Sequence, residues 1–245
     1  MPIPYLRRLT GKERERSFNL RLAFLLAFIA GATNAGGLFA VGQYTSHMSG
    51  IVSSIADNLS IHEVRLALSG LGSLAAFMLG AACTALLVNW GRRRNLQSQY
   101  AFPLMLEAVL LLCFGVLGNR LVRHEWFFVS ATVVLLCFIM GLQNAIITKL
   151  SQAEIRTTHV TGMVTDAGIE LGKMLYWNRR KGEPVGADRT KLFILMGLIG
   201  LFFLGGLVGA VSFKRVGFVS TVPLALLLVL LSVVPIADDL RARLH

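Results

Sequence analysis

The sequence predicts an all-α fold: a polytopic membrane helix bundle of six transmembrane helices, arranged as a 3+3 inverted repeat with a short helix after the first span of each half. Three observations carry that expectation. Hydrophobic residues make up 55% and charged residues 15% of the 245 positions, and a mean hydropathy of +0.65 is too high for an ordinary soluble domain. The apolar residues gather into runs able to cross about 30 Å of hydrocarbon at about 1.5 Å per residue. The chain also repeats itself: Phe28-Ile-Ala-Gly-Ala-Thr-Asn34 returns as Phe138-Ile-Met-Gly-Leu-Gln-Asn144 at an offset of 110, and Ser46-His-Met-Ser-Gly50 returns as Thr158-His-Val-Thr-Gly162 at an offset of 112.

Residues 1–19 mix Arg7, Arg8, Lys12, Arg14 and Arg16 with Glu13 and Glu15, which reads as a retained basic tail rather than a cleaved signal peptide. Residues 20–41 are the first span, and Gly36-Gly37 near its end predicts early unwinding, because paired glycines weaken a helix. The semi-polar stretch 42–61 holds a short helix at 50–59, which is too short to span. The second span, 64–88, places Gly72, Ala76, Gly80 and Thr84 at every fourth position, a face that suits close helix packing and would equally suit a homo-oligomer. Three arginines, Arg92 to Arg94, close it.

The third span, 100–117, has Pro103 near its start and Glu107 inside it. After a loop at 118–125, the fourth span, 126–147, opens the second copy. An amphipathic helix follows at 163–176 and ends at Tyr176-Trp177 and Arg179-Arg180, aromatics and then arginines as in an interfacial anchor. A Gly/Pro-containing surface linker at 182–189 leads to the fifth span, 192–213, and the sixth, 218–236. Phe77-Met-Leu-Gly80 answers Phe202-Phe-Leu-Gly205, and Pro103-Leu-Met-Leu answers Pro223-Leu-Ala-Leu, so three spans match three. The domains are a cytoplasmic basic tail (1–19), a first membrane repeat (20–117), a second (118–236) and a cytoplasmic tail (237–245).

An odd number of crossings per repeat inverts the second copy. The net charge of +11 fits membrane topology rather than nucleic acid, because the Lys and Arg residues sit between apolar runs. With both termini cytoplasmic, the basic tail, Arg92 to Arg94, Lys149 to Lys191, Arg241 and Arg243 lie inside, and only Arg65, Arg120, Arg123, Lys214 and Arg215 lie outside. Cys83, Cys113 and Cys137 all fall in apolar segments without ligand spacing, so no disulfide framework, metal site or cofactor is expected.

The candidate site is the pair of repeated turns. Two placements fit the sequence: re-entrant turns lining a protein-walled cavity, or capping turns at the two membrane surfaces with the following helices lying flat. Asn34 and Asn144 read either as pathway groups or as interhelical glue. His47 and His159 head the turns; Ser49 and Thr161 are suitable N-cap residues, followed by Gly50 and Gly162, which allow close approach. Two such helix N-termini pointing inward from opposite sides would favour an anion or the carbonyl end of a solute. Asp166 suits the first turns of its helix through the dipole alone, and Glu170 and Lys173 read as a solvated charged face. Glu107 is an intramembrane carboxylate, a functional candidate by default; its counterpart is Leu227.

The elements Gly31-Ala-Thr-Asn34, Gly37 through Gly50, Gly141-Leu-Gln-Asn144 and Thr158-His-Val-Thr-Gly162 resemble those of the YoaK-type bacterial integral membrane family, catalogued as a domain of unknown function. The resemblance runs from about Ser17 to Ile236 and implies a small bacterial inner-membrane protein, without implying a substrate. Three function classes remain. The expected one is a transporter or channel moving a small solute or ion through a site built from Asn34, His47, Ser49, Glu107, Asn144, His159, Thr161 and Asp166, with Glu107 or a histidine as proton-coupling group. The lipid bilayer is then its surroundings, and no nucleic acid is expected. A membrane enzyme using His159 or His47 as acid/base lacks any accompanying nucleophile or phosphate motif. A non-catalytic scaffold is the third class.

Overall fold

A computed structural model describes residues 16–121, 125–150, 158–177 and 185–244. These form eight α-helices: α1 Arg16–Val41, α2 Met48–Ser60, α3 Val64–Arg93, α4 Ala101–Leu121, α5 Glu125–Leu150, α6 Val160–Leu175, α7 Arg189–Val216 and α8 Thr221–Leu244. A 3-10 turn, Gly217–Ser220, joins the last two, and no strand occurs among the described residues. Four helical stretches are long and apolar enough to cross a membrane, namely Arg16–Val41, Val64–Arg93, Ala131–Leu150 and Arg189–Ala242. The last covers 54 residues, far beyond one crossing of about 20 residues, and it is broken where Gly217 takes φ 64 between α7 and α8. The apolar part of α4, Ala101–Val116, is shorter. The chain is a helical membrane protein.

Helix α1 and helix α5 form the centre. Half of α1's most apolar window (50%) and 61% of α5's is buried, against 28% of α3's. The outer helices instead expose Met78, Leu79 and Leu86 on α3, Phe193, Phe203 and Leu207 on α7, and Leu226 and Leu230 on α8, which is the composition of a lipid-facing surface.

The closest helix pairs cross between the two halves of the chain. A Cβ on Gly31 of α1 would lie 2.0 Å from the Phe202 carbonyl oxygen of α7, and one on Gly205 would lie 2.0 Å from that of Phe28. The same reciprocal contact joins α5 and α3, where Gly141 meets the Phe77 carbonyl and Gly80 meets the Phe138 carbonyl, again at 2.0 Å. Only residues without a Cβ let the backbones approach this closely. Thr84 Oγ1 donates to the Leu142 carbonyl at 2.9 Å along the α3–α5 seam. The packed face of α3 runs through Ser73, Ala76, Gly80, Thr84 and Val88. Gly72, expected on it, is exposed, because the buried face keeps the four-residue spacing from Ala76 to Val88 but steps back by three, to Ser73, at that end.

Directions follow from these contacts. Helices α1 and α7 run parallel, with Phe24 by Gly197, Gly31 by Phe202 and Gly36 by Phe213. Helices α3 and α5 also run parallel, Gly80 by Phe138 and Asn89 by Lys149. Helix α1 opposes α5, since Asn19 Nδ2 donates to the Leu150 carbonyl while Gly37 meets Leu136. Helix α4 opposes α8: Ser232 sits by Met105, Thr221 Oγ1 donates to the Leu111 carbonyl at 3.2 Å, and Phe218 packs edge-on to Phe114. At the other end of that pair the Asp239 carboxylate accepts from the Gln97 and Ser98 N–H groups and the Ser98 hydroxyl, capping the start of α4 as an acid at a helix N-terminus should. Arg21, Arg92, Arg94, Lys149 and Arg241 thus share one end of the bundle.

Two expectations are corrected here. The helix does not unwind at Gly36-Gly37; α1 continues to Val41. The glycines serve packing, since a Cβ on Gly36 would meet Phe213 at 3.6 Å and one on Gly37 would meet Thr45 at 3.3 Å. Glu170 is not on a solvated face: it is 2% exposed. Its carboxylate accepts from Lys173 Nζ and from the Asp188 N–H, both at 2.9 Å, tying α6 to the start of α7. The expected basic tail at residues 1–15, the expected outer position of Arg123, the Arg179-Arg180 anchor and the polar connection at 151–157 lie outside the described residues.

Candidate functional site

The chain returns inward after α1. Asn34, 8% exposed, directs its Oδ1 at the N–H groups of Thr45 and Ser46, 3.1 Å from each. Two backbone donors leaving a helix end are thereby satisfied by one buried amide, which folds the turn back against α1. Helix α2 then runs outward along α3, with Ile51 and Ile55 over Gly70. Helix α6 likewise runs back along α7, where Asp166 pairs with Lys191 at 3.3 Å and Glu170 reaches Asp188.

Both turns line one cavity of about 730 Å³. Its wall is made of corresponding residues: Asn34 with Asn144, Ser46 with Thr158, His47 with His159, Ser49 with Thr161, and Phe77 with Phe202. Met48, Val160 and Tyr44 complete it. Phe77 stands near the middle of Val64–Arg93 and Phe202 near the middle of Arg189–Val216, so the turns sit at half-depth along the two longest helices.

The histidines hold the cap positions themselves. His47 precedes α2 and His159 precedes α6, and neither makes a side-chain cap bond. Ser49 and Thr161, expected as N-caps, lie two residues beyond the histidines, inside the first turn, because both helices begin at the residue after histidine. Each imidazole folds over the glycine three positions on: a Cβ on Gly50 would fall 2.1 Å from the His47 ring, and one on Gly162 would fall 2.3 Å from the His159 ring. The glycine of the His-x-Ser/Thr-Gly motif is thus the seat of the ring.

Among the described residues, no Asp, Glu, Lys or Arg lines the cavity. Its field comes from the N-terminal ends of α2 and α6, each worth about half a positive charge, together with amides, hydroxyls and imidazoles. Asn144 Oδ1 is buried and has no partner among the described residues, unlike that of Asn34. Of the expected site residues, Asn34, His47, Ser49, Asn144, His159 and Thr161 come together; Asp166 and Glu107 do not line the cavity. Asp166 is half-exposed in its ion pair with Lys191. Glu107 is fully buried and accepts from Gln143 Nε2 at 2.7 Å. Sequence reading missed Phe77 and Phe202 as lining residues, although both head the Phe-x-Leu/x-Gly repeats it singled out. It missed Gln143 as well, the residue adjoining Asn144.

A family model described as Protein of unknown function (DUF1275) matches residues 22–234. The chain belongs to that family. Its matched region takes in both turns, both asparagines and all of the cavity wall, in line with the resemblance read from the motifs. The chain is similar to a UPF0700 transmembrane protein of Rhizobium meliloti (strain 1021), 27% identical over 212 residues, which cover 86% of this chain and 83% of the relative. No solved structure matches the chain.

Proposed function

We propose that this DUF1275-family protein is a small transporter or channel-like protein of the bacterial inner membrane, moving a small solute or ion through the cavity between two inverted three-span halves, with both termini cytoplasmic. The observation that carries the reading is the shared cavity: turns 112 positions apart in sequence line one space. Irregular backbone at such depth is tolerated where it is buried in protein or lines a wet cavity, and half-helices whose N-termini meet there are a recurring way to hold a solute in inverted-repeat transporters. The parallel pairing of α1 with α7 and of α3 with α5, with α4 opposed to α8, is what six alternating crossings require. The basic residues gathered at one end favour that end as cytoplasmic.

The lining chemistry favours a small anion, or a neutral solute presenting a carbonyl or carboxylate oxygen. The donors are the first-turn N–H groups and imidazoles, and no carboxylate among the described lining residues opposes them. The site is read as a binding and passage site rather than a catalytic one. The test is flux of chloride, formate, acetate and phosphate into phosphatidylcholine vesicles holding the purified full chain. At least one of these anions is expected to cross faster than through empty vesicles, and the rate should fall about tenfold or more in His47→Ala/His159→Ala, as when a ligand loses its main polar contacts. Flux equal to that of empty vesicles for all four would overturn the anion reading.

A further inference from the structure

Glu107 and Gln143 face each other across the α4–α5 contact, and both are almost fully buried, at 0% and 1% exposed. One hydrogen bond joins them, from Gln143 Nε2 to Glu107 Oε1 at 2.7 Å. The two remaining atoms of the pair, Glu107 Oε2 and Gln143 Oε1, are buried and have no partner among the described residues. With the carboxyl ionised both are acceptors only, so neither can satisfy the other. A single proton changes this. On Oε2 it turns one acceptor into a donor, and a carboxylic acid and a primary amide then present complementary edges, N–H to O on one side and O–H to O on the other.

The surrounding charges do not supply an alternative. On α3, Arg92 donates to the Tyr100 hydroxyl and Arg94 lies over the Trp90 ring. On α5, Lys149 donates to Asn89, and Cys137 packs in the α3–α5 seam. On α8, Asp239 caps the start of α4, with Asp238 and Arg241 at the same end of that helix. The ion pairs Lys173–Glu170 and Lys191–Asp166 do not involve Glu107. A buried carboxylate with one neutral donor and no cation is costly, several kcal/mol by order of magnitude.

We propose that Glu107 is a proton-binding site, carrying its proton on Oε2 against Gln143 Oε1, and that α5 links this proton to the state of the cavity. The link is covalent neighbourhood: Gln143 meets Glu107, while Asn144, about 100° further round the same helix, lines the cavity with its Oδ1 unpartnered. Movement of α5 that lets Asn144 find a partner in the cavity shifts Gln143 against Glu107. Release transfers the Oε2 proton to water entering from the cavity and leaves a carboxylate still accepting from Gln143 Nε2. The coupling half of this inference rests on the transport reading; the proton site does not.

The test uses the full chain in phosphatidylcholine vesicles. Infrared spectra recorded from about pH 5 to about pH 9 should contain the carbonyl stretch of a protonated carboxyl at neutral pH, and Glu107→Gln should lose it. Absence of that band, or its persistence in Glu107→Gln, overturns the proton site. Glutamine keeps the side-chain shape and can pair amide to amide; if that variant does not reconstitute, Gln143→Leu must shift the band by removing its partner, and an unmoved band overturns the pairing. For the link, Ser46→Cys is labelled with an impermeant thiol reagent at about pH 6 and about pH 8. The labelling ratio between Glu107 and Glu107→Gln backgrounds should change with pH, and a constant ratio overturns the coupling. A band present without flux of any anion would sink the transport proposal and leave the proton site standing.

Discussion

His47 and His159 owe their placement to the glycines at Gly50 and Gly162, and that gives a clean separation of structure from function. Alanine at either glycine puts a Cβ about 2 Å from an imidazole, but a histidine at a helix start can swing about χ1, so the ring is displaced and the helix is not. Gly→Ala in a helix also gains up to about 1 kcal/mol of helix propensity. Gly50→Ala/Gly162→Ala is therefore expected to unfold at the same or a slightly higher temperature in detergent while losing most anion flux; a sharply lower unfolding temperature would count against the ring-seat account. At this scale the sequence made the motif visible but not its mechanics. Serine and threonine are common caps, which drew attention to Ser49 and Thr161, while the backbone had already turned helical one residue earlier. Asn34 and Asn144 were equally legible as a pair, yet among the described residues Asn34 alone of the two has its Oδ1 filled by turn N–H groups.

Glycines on helix faces tell a different story between elements. Gly31 and Gly141 each sit 2.0 Å, by a built Cβ, from a carbonyl oxygen of the neighbouring helix, and backbone cannot swing aside as a side chain can. Gly31→Ala and Gly141→Ala should each lower stability by about 1–3 kcal/mol, the usual cost of overpacking, read as a fall in thermal midpoint; no change in either would contradict the close α1–α7 and α3–α5 seams. The existence and order of the eight helices were readable from the alternation of apolar runs and polar breaks. The fate of Gly36-Gly37 was not. Paired glycines weaken an isolated helix, but Phe213 and Thr45 pack against them here, and that tertiary contact outweighs a propensity term of about 1 kcal/mol per glycine. Burial of Glu170 was hidden for a similar reason: its partner, the Asp188 N–H, comes from a connection whose path a charge pattern does not reveal.

For the whole molecule, the sequence laid out two consecutive halves, 20–117 and 118–236, whereas the tightest seams join one half to the other. Small residues mark a face for close packing but do not name the helix that occupies it, so the interlocking of α1 with α7 and α3 with α5 was beyond a single sequence. The turns of both halves line one cavity. This is the central claim, and cysteine accessibility tests it most directly. Ser46→Cys and Thr158→Cys, each in a background where Cys83, Cys113 and Cys137 are replaced, are exposed to an impermeant thiol reagent from one membrane face at a time. A shared cavity predicts that under any one condition both cysteines react from the same face, and that a transported anion slows both together. Labelling of Ser46→Cys only from outside and Thr158→Cys only from inside, each indifferent to added anion, would contradict it.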